Sequence, residues 1–239
     1  MRHRLSVAAL TIAVALSACA SDGDDSTAAP SSGTAAETTV ADTDGTTSDN
    51  DEDTTTRAGL ELSDSAPDGA DIAIDAIGTT TDRPIQRGGQ AAIEQGQTFA
   101  VEDDTVLTTV SFHVVAPAGV PAGQSVELTL YQVGNTATMV PSGPVEIDGA
   151  SGPLPFALPD QIVADTPTHL VFSLPDVALS AGLYAVVLSI GDGAGPTEMF
   201  VQHPGGDVYA DGVAVSLEGE FWKSNTNGDD SAVTLTFGS

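Results

Sequence analysis

The chain has 239 residues and carries 34 acidic side chains against 6 lysines and arginines, which gives a formal net charge of −28 at pH 7. Neutralising phosphates requires clustered basic side chains, so this balance excludes nucleic acid as a partner. After Gly59 the only basic residues are Arg83, Arg87 and Lys223, and the domain surface is equally unsuited to anionic lipid.

The first 18 residues have the layout of a signal peptide. Arg2 and Arg4 precede an apolar run, residues 5–16, that is too short to span about 30 Å of hydrocarbon. The run closes with Leu16-Ser17-Ala18-Cys19, which resembles the lipobox of bacterial lipoproteins. The resemblance implies cleavage before Cys19 and attachment of lipid to its sulfur. The protein would then be anchored in the cell membrane or outer envelope, with its domain facing away from the cytoplasm.

Ordinary secretion, with cleavage after Ala18 or Ala20, is the alternative to a lipid anchor. Cys19 is the only cysteine, so it has no disulfide partner within the chain. An unpaired cysteine at this position therefore favours lipidation. Two acyl chains provide stable membrane attachment, because each buried methylene contributes about 0.8 kcal/mol.

Residues 19–58 are predicted to form a disordered acidic linker. From Ala20 to Arg57 the composition is dominated by Ser, Thr, Ala, Gly, Asp and Glu, and Val40 is the one branched aliphatic residue. Such a segment buries too little apolar surface to offset the entropy lost on ordering. Its carboxylates repel one another, and a coil of this length reaches about 35 Å before that expansion. The linker is expected to act as a spacer.

Residues 59–239 are predicted to form one all-β domain. Short β-branched and aromatic runs alternate with Gly, Pro, Asp and Asn, a pattern typical of strands separated by turns. Residues 153–167 are too rich in proline to form a central strand. The predicted strands are Asp71–Ile77, Gln97–Val101, Thr105–Val115, Ser125–Val133, Thr168–Leu174, Leu183–Ile190, Thr197–Gln202, Val213–Leu217 and Ala232–Phe237.

Two of these strands carry specific predictions. The nearly continuous apolar run Leu183–Ile190 indicates a central strand that is buried on both faces. In Thr105–Val115 the alternation predicts that one face carries Val106, Thr108, Val110, Phe112 and Val114.

From about Gln95 to Phe237 the chain resembles the jelly-roll modules of bacterial surface and secreted proteins. The matching elements are Gln97-Thr98-Phe99, the strand Val106–Phe112, the spacing of Leu179, Gly182, Tyr184 and Leu188, and the late residues Tyr209, Gly212, Trp222 and Asp230. The resemblance implies a two-sheet antiparallel β-sandwich of jelly-roll type. Such modules are often called carbohydrate-binding-like, so a binding role is expected.

A candidate ligand site is predicted in the last third of the chain. Aromatic rings stack on sugar faces, while amides and carboxylates bind hydroxyl groups. The candidates are Trp222, Tyr209, Asn225, Asn227 and Asp207. Trp222 lies between Glu220 and Lys223, which indicates partial exposure; the alternative is that Trp222 fills the core.

Calcium is the cofactor that the loops favour, because Ca²⁺ prefers carboxylate and carbonyl oxygens. The candidate ligands are Asp192, Asp211, Asp229 and Asp230. None of these loops has the EF-hand spacing, and each is also explained as a turn.

No catalytic residue is assigned. His113 and His169 lie in predicted strands, His203 lies in a loop, and the sequence contains neither a nucleophile elbow nor a Gly-rich phosphate loop. The sequence therefore predicts a non-catalytic module for binding or adhesion, with a glycan or a surface protein as partner. The alternatives are a structural envelope lipoprotein without a small ligand and an accessory domain of a weak hydrolase.

Overall fold

Antiparallel β-strands build the part of the chain that the computed structural model describes, which comprises residues 58–75, 83–87, 92–135, 138–147, 149–192, 197–218, 221–224 and 229–238. These residues belong to one compact unit, Glu52–Ser239. The predicted signal peptide, Cys19 and the linker up to residue 57 lie outside the described residues, as do Asn225 and Asn227. Within the described ranges, no helix is long and apolar enough to cross a membrane.

Sixteen strands are present in these ranges. They are β1 (Gly59–Ser63), β2 (Ile72–Ala73), β3 (Arg83–Arg87), β4 (Ile93–Val101), β5 (Thr105–Val115), β6 (Ser125–Asn135), β7 (Val140–Pro144), β8 (Glu146–Ile147), β9 (Ala150–Ser151), β10 (Leu154–Ala157), β11 (Thr168–Leu179), β12 (Gly182–Ile190), β13 (Thr197–Val201), β14 (Ala214–Glu218), β15 (Phe221–Ser224) and β16 (Val233–Gly238).

One large sheet contains all of these strands except the β8–β9 pair. Its main order is β1-β11-β5-β13-β3-β4-β12-β6-β10. Five further strands attach to it: β14 pairs with β4 and β15, β16 pairs with β5 and β2, and β7 pairs with β6. Every pairing of named strands is antiparallel, which confirms the all-β, antiparallel prediction.

The strand predictions are largely confirmed. β5 has the predicted bounds, and β12 lies between β4 and β6 with both faces buried, as its apolar run indicates. The proline-rich stretch contributes only β10, which pairs with β6 alone and is therefore not central. The short strands β1, β3, β7, β8, β9, β10 and β15 were not predicted from the sequence, because each depends on a partner strand rather than on its own alternation.

The prediction that Val106 and Thr108 share one face of β5 with Val110, Phe112 and Val114 is wrong. Leu107 is fully buried, whereas Val106 and Thr108 are only half-buried. The register between β16 and β5 slips at Thr236 and Phe237, since Thr236 pairs with Thr109 while Phe237 pairs with Leu107. Such an irregularity inserts an extra residue and exchanges the two faces of the strand beyond it.

Apolar side chains form two clusters on opposite sides of β12. Tyr184, Val186 and Leu188 belong to the main core, whereas Ala185 and Val187 belong to a second, smaller cluster. In the main core, Phe156 of β10 contacts Phe172 of β11, with ring centroids 5.0 Å apart. The second cluster, here called the Trp222 face, comprises Val133, Ala185, Val187 and Val215 with Tyr131, Leu183, Val213 and Trp222 packed against them.

Candidate functional site

A cleft of about 550 Å³ opens beside Tyr209. Its walls come from β2, the end of β4, the β4–β5 turn, the loop between β13 and β14, and β16. We call it the Tyr209 cleft, and its lining residues are Asp71, Ile72, Ala100, Val101, Glu102, Asp103, Thr105, Tyr209, Asp211 and Phe237. The volume lies within the range of about 300–1,000 Å³ that is typical of ligand sites.

Tyr209 is half-buried and is held in place from two sides. Its backbone N–H donates to Asp230 Oδ2 at 2.8 Å, and its hydroxyl oxygen accepts a hydrogen bond from the Ala100 N–H at 3.2 Å. Close packing adds to this, because a Cβ atom at Gly212 would lie 2.8 Å from Tyr209 Cε1. Burial raises the pKa of Tyr209, and the carboxylates of Asp211 and Glu102 add to the increase. The ring is therefore a neutral phenol at physiological pH.

The loop that carries Tyr209 is attached to β4 through a buried carboxylate. Asp230 Oδ1 accepts from Gln97 Nε2 at 2.8 Å, and Oδ2 accepts from the N–H groups of Val208 and Tyr209. Ser231 N–H donates to Gln97 Oε1 at 2.7 Å. We call Gln97, Asp230 and Ser231, all of them fully buried, the Asp230 network. Burial raises the pKa of Asp230, and the three hydrogen bonds that it accepts act in the opposite direction.

The rim of the cleft is acidic and its wall is partly apolar. The carboxylates of Asp71, Glu102, Asp103 and Asp211 belong to exposed residues. Asp71 Oδ2 also accepts a hydrogen bond from the Phe237 N–H at 2.7 Å, so it connects β2 to β16. The Phe237 ring packs against Phe99 in the main core, with centroids 6.2 Å apart. An apolar wall and negative charge therefore meet in one cleft.

Trp222 lies on a different part of the domain from Tyr209. It is half-buried, as its polar sequence neighbours indicate, and its ring contacts Tyr131 edge-to-face at 5.2 Å and 77°. Tyr209 packs against the main core instead. Of the other predicted ligand residues, Asp207 is exposed on the same loop as Tyr209. The structure thus places Tyr209 and Asp211 in one cleft and pairs Trp222 with Tyr131.

The predicted calcium ligands are dispersed or already engaged. Asp192 is exposed after β12, Asp211 lies at the rim of the cleft, and Asp229 accepts from Arg83 Nη2 at 3.2 Å. Both oxygens of Asp230 accept N–H hydrogen bonds. Across the described ranges no three His, Cys, Asp or Glu side chains are placed to hold a metal ion. The calcium prediction therefore gains no support from these residues.

His113 and His169 form a stacked pair, which the sequence did not reveal. They lie directly opposite each other on β5 and β11, with ring centroids 4.4 Å apart and ring planes 2° from parallel. Ser111 Oγ is 3.3 Å from His169 Nδ1, and Asp75 lines the same small cavity of about 240 Å³. Burial lowers the pKa of both imidazoles despite the nearby Asp75 carboxylate.

His203, the loop histidine, is fully buried next to the Asp230 network. Both ring nitrogens are buried, and neither makes a hydrogen bond of normal geometry within the described residues. Burial and the positive charge of Arg83 lower the pKa of His203 to about 4, although the Asp230 backbone and Asp229 favour the protonated form. His203 is consequently neutral at physiological pH.

No protein-family model matches the sequence, and no curated protein matches it significantly.

Proposed function

We propose that this protein is a lipid-anchored, non-catalytic binding module whose ligand binds in the Tyr209 cleft. The observation that carries the proposal is the cleft itself, in which a half-buried tyrosine ring and the Phe237 side chain lie beside four carboxylate residues. Aromatic rings and a few fixed polar groups in a concave site are the usual elements of ligand recognition.

The fixed position of Tyr209 supports binding through a preformed surface. Its backbone is attached to Asp230 and its hydroxyl to Ala100, so little side-chain freedom remains to be lost when a ligand binds. A rigid tyrosine offers a large contact area together with a polar end.

For the domain we propose a two-sheet sandwich of jelly-roll type. Support comes from the contact between Phe156 and Phe172, because β10 and β11 lie near opposite ends of the strand order and yet meet in one core. A sheet whose distant strands pack face to face in this way corresponds to two layers around a single core.

For the N-terminal region we propose lipidation of Cys19, with residues 19–58 as the spacer between the membrane and the domain. The lipobox-like residues 16–19 and the acidic, aliphatic-poor composition of the spacer support this arrangement. Replacement of Cys19 by serine is expected to move the protein from the membrane fraction to the medium or soluble envelope fraction. Membrane retention of Cys19→Ser would contradict the anchor.

Binding is tested by applying the full chain to an array of glycans and peptides. We expect at least one class to bind and Tyr209→Ala to abolish its signal. Val208→Ala is the matched control, since Val208 adjoins Tyr209 and is 60 % exposed but does not line the cleft. An array without any ligand, or full binding by Tyr209→Ala, would overturn the proposal.

A further inference from the structure

The charge of the Tyr209 cleft restricts what can occupy it. Of the residues that the structure describes, four acidic ones line the cleft and no lysine or arginine does. Two basic side chains that the structure describes are engaged elsewhere, Arg83 with Asp229 and Lys223 with Glu218. A cleft whose rim carries only negative charge attracts cationic ligands and repels anionic ones.

The wall of the same cleft adds an apolar requirement. Ile72, Val101 and Phe237 line the cleft together with Tyr209, and the Phe237 ring packs against Phe99. A cation that is placed over a tyrosine ring is attracted by its π face, while a neighbouring apolar group gains contact with aliphatic and aromatic surface. The cleft therefore suits a ligand that carries both kinds of group side by side.

A second acidic pocket on the domain allows the effect of negative charge to be compared with and without an aromatic wall. It has about 410 Å³ and includes Glu61, Asp64 and Asp160, yet no aromatic side chain among the described residues lines it. The two pockets share no residue. If negative charge alone determined binding, both would attract a basic ligand to a similar extent.

We propose that the Tyr209 cleft binds a basic, amphipathic peptide segment of a partner protein, with a lysine or arginine over Tyr209 and an adjacent apolar side chain against Ile72 and Phe237. This inference rests on the proposed function and specifies the class of its ligand. Glu102, Asp103 and Asp211 supply the complementary charge at the rim.

The test is calorimetric titration of the full chain with a hexapeptide of alternating lysine and leucine. The variant Glu102→Gln/Asp103→Asn/Asp211→Asn removes three exposed rim carboxylates and is expected to weaken binding at least tenfold. The matched control Glu61→Gln/Asp64→Asn/Asp160→Asn makes the same three changes in the second pocket, where all three residues are also exposed. It is expected to change the Kd less than threefold.

Hexalysine is the comparison ligand, and it is expected to bind at least tenfold more weakly than the alternating peptide. If the two triple variants lose the same amount of affinity, or if hexalysine binds as tightly as the alternating peptide, binding is unspecific ionic attraction. Either result would overturn the inference. Binding of a neutral glycan in place of the peptide, with loss in Tyr209→Ala, would refute the peptide class while leaving the binding module intact. If neither class binds, the proposed function fails as well.

Discussion

The Tyr209 cleft and the Trp222 face both present an aromatic ring that is half-buried, but the two regions are built differently. Tyr209 is fixed by hydrogen bonds to a buried carboxylate and to β4, and it borders a concave, acidic space. Trp222 packs edge-to-face on Tyr131 and, with Leu183 and Val213, covers the small cluster outside β12. In the first region polar contacts hold the aromatic side chain beside open space, whereas in the second the aromatic side chain itself contributes to packing. Partial burial of an aromatic residue therefore does not identify a binding site unless its contacts are known.

The largest effect is expected from removing the carboxylate that holds the Tyr209 loop. Asp230→Ala removes the acceptor of two backbone N–H groups at a fully buried position, and it leaves Gln97 Nε2 with Thr98 O as its remaining acceptor. We expect the free energy of unfolding to fall by about 4 kcal/mol, because three hydrogen bonds to a buried carboxylate are lost together. Urea unfolding measures this loss.

The control is Asp207→Ala, which changes an exposed residue on the same loop and should stay within about 0.5 kcal/mol of the unchanged protein. A similar small loss for both variants would show that the Asp230 network does not support the loop.

Two glycines allow the two regions to be disturbed one at a time. A Cβ at Gly212 would lie 2.0 Å from Thr98 O and 2.8 Å from the Tyr209 ring, and a Cβ at Gly96 would lie 2.3 Å from Val186 O and 2.8 Å from Val187 Cγ2. Alanine at either position should cost about 3 kcal/mol of stability through overpacking.

The two alanine variants should differ in binding. Gly212→Ala displaces the Tyr209 ring and should weaken binding of the lysine–leucine hexapeptide, whereas Gly96→Ala should leave its affinity unchanged. Gly206→Ala is the control, since no atom lies within 4 Å of the added Cβ. Equal affinities of Gly212→Ala and Gly96→Ala for the hexapeptide, measured at a temperature where both are folded, would show that Tyr209 is not part of the binding surface.

Acidification is expected to lower the free energy of unfolding gradually and by a smaller amount. The pKa of His203 is 6.5 as an unperturbed group and about 4 in the folded protein. Between these pH values the unfolded chain binds more protons, so stability falls as the pH falls, by at most about 1.4 kcal/mol per pH unit. His113 and His169, whose pKa values are also lowered, act in the same direction. Asp230, whose pKa is raised, opposes them at the acidic end of this window.

Replacing His203 by leucine should flatten this dependence. Urea unfolding at several pH values between 4 and 7.5 gives the slope for both proteins, and the slope is informative whatever the absolute stability of His203→Leu. An unchanged slope would mean that His203 titrates normally and that its burial carries no electrostatic cost.

The strands are well predicted from the sequence, because the alternation of apolar and polar residues is a local property of the chain. The bounds of β5 and the doubly buried β12 follow directly from the order of apolar residues. The exchange of faces at Leu107 did not follow, because the slip in register belongs to the pairing of Leu107 with Val177 of β11 and Phe237 of β16, both distant in sequence.

The candidate site was only partly predictable for the same reason. Tyr209 and Asp211 are near neighbours in sequence and were assigned as candidates, but Asp71, Glu102 and Phe237 reach the cleft only through the fold. Trp222 and Tyr209 are also close in sequence, yet hairpin β14–β15 carries Trp222 onto the opposite side of β12. The stacked His113–His169 pair likewise depends on the pairing of β5 with β11.

The central claim is that the cleft beside Tyr209, and not the surface around Trp222, binds the ligand. The most direct test is a comparison of Tyr209→Ala and Trp222→Ala in their affinity for the lysine–leucine hexapeptide, after circular dichroism has shown that both are folded. We predict that Tyr209→Ala weakens binding at least tenfold and that Trp222→Ala changes the Kd less than twofold. The reverse result, with affinity lost in Trp222→Ala and retained in Tyr209→Ala, would contradict the account.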